Sequence, residues 1–238
     1  MKTTKLLGHG LGMWIIGVCC CTGVSFAAVS DIGMVTRLEG NVSFWNDTDG
    51  QAHQTAQNFM KVRAEDRFDL EADAKLQLVF FESGRRELWQ GPSRLKMTGS
   101  GGSVIETGKK APSPQVTLLP ENVSKEMQRI SPLIDPEKLR RSGSTTVRGK
   151  KSRSESASSK LAVLTEEERR VVEAGRKTYQ DLAEKLDADD ITPELYLFSV
   201  LADYDQYEEM DSLIKRMREK QPGAPVIDQL TMWLNSQR

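Results

Sequence analysis

The sequence predicts an α+β multidomain chain: an all-β, sandwich-like N-terminal domain, a disordered basic linker and a small α-helical C-terminal bundle. Three observations predict it. Between Val35 and Leu119, apolar and polar residues alternate with period two, and turn residues interrupt them every few positions, as in half-buried strands. From Ser142 to Ser159 apolar residues nearly vanish while Ser, Lys, Arg and Gly dominate, so the segment buries too little surface to order itself. Beyond Thr165 the apolar spacing changes to three and four, the period of a helix face.

Charge segregates along the same boundaries. The 238 residues carry a formal net charge of −1. Residues 28–137 hold 13 basic against 16 acidic side chains, a net of −3, and residues 138–160 hold 8 against 1, a net of +7. Residues 161–238 hold 10 against 17, a net of −7. The expected division is a signal peptide over 1–27, a β domain over 28–120, a short helix and basic disordered linker over 121–160, and a helical domain over 161–238.

The signal peptide is read from Lys2 and Lys5, the apolar run Leu11 to Val24, and the small residues Ser25 and Ala27 before a cleavage point at Ala28. An uncleaved anchor is the competing reading, because Leu11 to Ala28 approaches the ~20 residues that span a bilayer. Cys19, Cys20 and Cys21 all lie in this segment, so cleavage leaves 211 residues with neither disulfide nor thiol chemistry. Val18 before Cys19 argues against lipidation.

Strands are expected at Val35–Leu38, Asn41–Trp45, Gln51–Ala56, Arg67–Leu70, Lys75–Phe81, Arg85–Trp89, Arg94–Thr98 and Gln115–Leu119. Asp49-Gly50 and Ser83-Gly84 supply hairpin turns. Lys75–Phe81 places Leu76, Leu78 and Phe80 on one face and reads as a sandwich strand with one buried side. Residues 99–114, rich in Gly and Pro, read as a loose excursion. Pro120 opens a short helix to Ile130. In the C-terminal block Thr165-Glu166-Glu167-Glu168 forms a capping box, with Val172, Gly175, Tyr179, Leu182 and Leu186 as the buried stripe. Thr192 caps a second helix with Pro193 at its first position. A third starts at Asp205, with Tyr207, Met210, Leu213, Ile214 and Met217 inward, and Val226–Asn235 forms the last. Two independently folded parts are expected, separated by a protease-sensitive linker whose positive charge attracts the acidic helices.

Val35-Thr36-Arg37-Leu38-Glu39-Gly40-Asn41-Val42, the Glu65-Asp66 pair before a strand, the hairpin Lys75–Trp89 and the turn Gly91-Pro92-Ser93 leading to Arg94-Leu95-Lys96 carry a resemblance. Over about 70 residues the β block resembles the FecR-like periplasmic domain, with Glu65 where that family usually has Gly. The resemblance implies a β fold and an envelope compartment. Founding members of that family resemble membrane-spanning regulators with a cytoplasmic helical anti-sigma segment, and none is expected ahead of Leu11. Residues 193–222 are similar to one tetratricopeptide unit, through Leu197, Leu201, Tyr207-Glu208-Glu209-Met210 and Pro222. One such unit cannot bury its faces alone, so neighbouring helices must cover it.

The candidate binding residues are Arg85, Arg86 and Trp89, whose guanidinium and indole groups suit glycan or carboxylate contacts if they are exposed. The bland alternative turns Leu88 inward and leaves Arg85, Glu87 and Trp89 partly paired on the other face. The linker residues Arg148, Lys150, Lys151 and Arg153 suit anionic lipid heads, wall polymers or the chain's own acidic helices. Nucleic acid is not an expected partner, since no aromatic residues interleave with them. Ser93 and Lys96 have the Ser-x-x-Lys spacing, but a strand sends them to opposite faces. His53 lacks a second imidazole or thiolate for a metal, and Asp187, Asp189 and Asp190 read as helix caps and a solvated loop. No catalytic residue, metal or cofactor is expected. The sequence therefore points to a non-enzymatic, periplasmic or secreted envelope protein that binds an envelope protein or cell-wall component, with membrane-surface contact through the linker. An envelope-side regulator in FecR-type signal transduction is the alternative, and a cell-wall hydrolase the third reading.

Overall fold

The computed structural model describes residues 30–46, 53–105, 113–134 and 164–238. The expected signal peptide and the linker residues Arg148, Lys150, Lys151 and Arg153 lie outside them.

Among the described residues ten strands form two five-stranded antiparallel sheets. They are β1 (Asp31–Glu39), β2 (Val42–Trp45), β3 (Gln54–Thr55), β4 (Lys61–Arg63), β5 (Arg67–Leu70), β6 (Lys75–Phe80), β7 (Arg85–Gln90), β8 (Ser93–Thr98), β9 (Gly101–Val104) and β10 (Gln115–Leu118). Sheet A runs β10-β7-β6-β1-β4 and sheet B runs β3-β2-β5-β8-β9. The facing sides enclose Val35, Phe68, Leu70, Leu76, Leu78, Phe80, Trp89, Leu95 and Met97, all buried.

Two strands escape the sequence pattern. Strand β4 has three residues and a single buried one, Val62. Strand β9 lies in the expected loose excursion, and its glycines serve close packing instead of a turn. A Cβ on Gly102 would sit 3.1 Å from the Trp89 indole, and Gly101, at φ +151, would press its own 2.6 Å from Glu87 Oε1.

The described residues that follow form five helices: α1 (Glu121–Ile130), α2 (Glu166–Lys185), α3 (Thr192–Asp203), α4 (Tyr207–Lys220) and α5 (Pro225–Ser236), with a 3₁₀ turn at Ser131–Leu133. The box at the start of α2 is complete, Glu168 N donating to Thr165 Oγ1 at 3.3 Å and Thr165 N to Glu168 Oε2 at 2.8 Å. Helix α3 is buried on every side from Thr192 to Leu201, because α1, α2 and α4 all pack on it. Gly175 of α2 is what lets the two backbones approach, since a Cβ there would lie 3.0 Å from Val200 Cγ1.

The helices also cover sheet A. One continuous apolar cluster joins Met34 of β1, Val79 of β6 and Phe81 to Leu119, Val123, Met127 and Ile130, then to Val172, Leu195, Phe198, Leu213 and Leu230. Strand β6 is accordingly buried on both faces, not one: Leu76, Leu78 and Phe80 toward sheet B, and Gln77 and Val79 toward the helices. The architecture is three layers: sheet B, sheet A, helices.

Candidate functional site

Strand β7 defines what this layering does to the expected site. Arg86 points toward the helices and is 4% exposed, while Trp89 lies in the sandwich core at 2%. The exposed patch of Arg85, Arg86 and Trp89 therefore does not form. Arg85, Glu87 and Trp89 do share one face and pair there, as the alternative has it, but that face is turned toward sheet B and buried instead of lying opposite an inward Leu88. Trp89 Nε1 donates to Glu87 Oε2 at 3.0 Å, as does Gly102 N at 3.0 Å, while Arg85 Nε donates to Glu87 Oε1 at 2.9 Å. These contacts satisfy a fully buried carboxylate, which would otherwise be costly.

Arg86 is the hub of a buried clamp between sheet A and the α2–α3 loop. Its Nε donates to Asp190 Oδ2 at 2.7 Å, and its Nη2 donates to Gln77 Oε1 at 2.7 Å and to Asp187 Oδ2 at 2.9 Å. Gln77 Nε2 donates to Thr36 Oγ1 at 2.8 Å and to Asp190 Oδ2 at 3.0 Å. Asp190 Oδ1 accepts from Thr192 N at 2.8 Å, so Asp190 satisfies the first N–H of α3, while Ile191 and not the expected Thr192 holds the N-cap position. Arg37 Nη1 donates to Asp189 Oδ1 at 2.8 Å, and Lys220 Nζ donates to the Asp190 carbonyl at 2.9 Å. The aspartates expected in a solvated loop are thus the anionic half of an interlayer bond, with Asp190 only 1% exposed. The physical reason is charge pairing: a guanidinium entering the interior brings its counter-ion and hydrogen-bond acceptors with it.

Ser93 is nearly buried in β8 and donates to the Gln90 carbonyl at 3.1 Å, with Lys96 on the opposite face of the strand. A cleft of about 470 Å³ between β1, the β6–β7 turn and α1 is rimmed by Asp31, Glu82, Glu121 and Lys125. Two of its carboxylates are matched locally, Glu121 to Lys125 at 2.6 Å and Asp31 to Lys61 at 3.2 Å.

The open surface lies across the sandwich. Phe44, Phe68 and Leu95 point inward from sheet B, so the alternate residues point out. The register pairs Trp45 with Arg67, Arg67 with Lys96, and Lys96 with Ser103; the neighbouring row pairs Thr55 with Ser43, Ser43 with Asp69, and Asp69 with Arg94. His53 stacks on Trp45, with ring centroids 4.1 Å apart and planes 12° apart. The Arg94 guanidinium carbon lies 6.0 Å from the Trp45 ring, and Arg94 Nη2 donates to Asp69 Oδ2 at 2.9 Å. Lys96 pairs with Glu65 at 2.7 Å. An indole, an imidazole, guanidiniums, an ammonium and a carboxylate thus share one open sheet face.

Sequence reasoning listed the strands that carry these residues but not their neighbours. The signal was present in Arg67-Phe68-Asp69-Leu70 and Arg94-Leu95-Lys96-Met97, whose alternation sends every charge to one side. Which side stays open depends on where the helices dock.

The chain matches no protein-family model, no characterised protein and no solved structure in the three comparisons made.

Proposed function

We propose that the chain is a non-enzymatic bacterial envelope protein, periplasmic or secreted once residues 1–27 are removed, that binds a partner through a FecR-like β domain backed by its helices. The observation that carries this reading is the contrast between the sheets. The central strands of sheet A, β1 and β6, are covered on both faces, while the outer face of sheet B displays His53, Trp45, Arg94 and Lys96. Exposed aromatic and arginine side chains held by strands are what a recognition surface needs.

The FecR-like reading is supported by the Glu65-Asp66 turn. Glu65 has φ +72, a conformation glycine adopts freely, and Asp66 accepts from Arg63 N at 2.7 Å and from Asn46 Nδ2 at 2.7 Å. In this reading residues 28–120 are the binding module, 121–160 contain a short helix and a basic segment able to touch a membrane surface, and 161–238 are a helical unit similar to a tetratricopeptide repeat.

The test is capture from envelope extract on immobilised protein, compared with the double variant Trp45→Ala, Arg94→Gln. Capture that depends on those two side chains is expected. Equal capture by a double variant with an unchanged circular dichroism spectrum would refute the assignment of this face.

A further inference from the structure

We propose that the outer face of sheet B is a binding site for an anionic glycan, a sugar polymer bearing carboxylate or phosphate groups. This deepens the proposed function and rests on it.

Geometry supplies the first argument. The row Trp45, Arg67, Lys96, Ser103 crosses four strands of the sheet, and His53, just before β3, extends it by stacking on Trp45. At ~4.8 Å per strand it extends roughly 19 Å, which suits an extended chain better than a small molecule. No element of the described residues crosses this face, whereas the helices cover the opposite side of the sandwich. Arg94 and Asp69 form the second row, their side chains 46% and 37% exposed.

Chemistry supplies the second. Sugar rings pack their C–H faces on aromatic rings, and His53 stacked on Trp45 makes a preformed aromatic ledge whose outer member is exposed. Arg94 presents a planar donor fork beside that ledge, suited to a carboxylate or phosphate, and Lys96 adds a point charge two residues along the same strand. Asp69 and Ser103 complete the set as acceptors for sugar hydroxyls.

Charge decides against the other extended polyanion. Arg67, Arg94 and Lys96 stand against Asp69 and Glu65, a net of +1 for the face. Nucleic acid binding draws on many uncompensated cations and several stacking platforms. A carboxylate in mid-face repels a phosphodiester chain but serves a polyol, and this face carries one aromatic ledge.

The experiment measures affinity of the purified protein for four probes: polygalacturonate, a phosphorylated mannan, neutral dextran and a single-stranded oligodeoxythymidine. Binding to polygalacturonate, phosphorylated mannan or both is expected, weakening with salt, and the two arms identify the anion. Trp45→Ala should weaken it about tenfold or more, as for a central anchor. Arg94→Gln and Lys96→Gln, which leave the sandwich core untouched, should each weaken it roughly fivefold. Dextran bound as tightly as the charged polymers, tightest binding to the oligonucleotide, or charged-glycan binding that survives all three substitutions would each overturn the proposal. If no glycan binds while capture from envelope extract still depends on Trp45 and Arg94, the glycan assignment falls and the binding face stands; if both fail, the proposed function falls with it.

Discussion

Asp190 is where the structure makes its steepest energetic demand. Its side chain is fully buried, its partner Arg86 retains 5% side-chain exposure, and the ion pair at 2.7 Å joins sheet A to the helices. Asp190→Ala leaves the guanidinium buried with its Nε unpaired and removes the acceptor for Thr192 N. Breaking a buried pair from one side costs about 3–5 kcal/mol, and losing the hydrogen bond to the first N–H of the helix about 1 kcal/mol. Asp187 still accepts from Arg86 Nη2 and Gln77 still binds it, so the lower part of the range applies. We expect a loss of about 3–4 kcal/mol, or roughly 6–16 °C in Tm at 2–4 °C per kcal/mol for a chain this size. Adding Arg86→Met should recover at least half of the loss, because the orphaned charge disappears with it. The assay is urea unfolding in a Trp233→Phe background, followed by far-ultraviolet circular dichroism for the helices and by fluorescence for Trp45 and Trp89 in the sandwich. Both signals should share one midpoint, which Asp190→Ala lowers for both. A loss below about 1 kcal/mol, a double variant no better than the single, or helices unfolding while the sandwich midpoint stays fixed would refute the reasoning.

Thr165→Ala removes half of the capping box and should lower stability by about 1 kcal/mol in urea titrations. Gly175→Leu drives a side chain into Val200 and should cost about 1–3 kcal/mol or more, with helical signal lost first on heating. Glu39 is held below the usual carboxylate range mainly by its hydrogen bond from Lys75, with Arg37 adding to it against the opposing effect of burial. Its contribution is therefore present above the unfolded value near 4.5 and lost as pH falls through the lower folded value. Glu39→Gln should be less stable than the parent at neutral pH and should converge with it in acid, as read from unfolding midpoints across pH.

The two-layered β unit, the start of α2 and the burial stripes of α2 and α4 were legible because each is encoded locally, by alternation, by a capping box, or by three-four spacing. Residues Arg67–Leu70 and Glu121–Ile130 fall where the pattern puts them to within a residue. What stayed hidden is tertiary. In Arg85–Gln90 both parities carry polar and apolar residues, and both faces are covered, so alternation could not say which side was the surface. The expectation of two independent parts came from the composition of residues 142–159, which says nothing of whether the flanking units touch. Asp190 meets Arg86 across 104 residues, a pairing no spacing rule reaches. Strand β9 was hidden because glycine normally marks loops, whereas here it makes room for Trp89. The Trp45 cluster went unread because Arg94 and His53 meet Trp45 only through strand register.

The most direct test of the account is amide hydrogen exchange of the whole protein, with and without the envelope fraction it captures, read peptide by peptide by mass spectrometry. The account predicts slowed exchange in peptides covering β2, β5 and β8 on sheet B, with α2 to α5 unchanged. Protection confined to the helices, with sheet B unaffected, would contradict it.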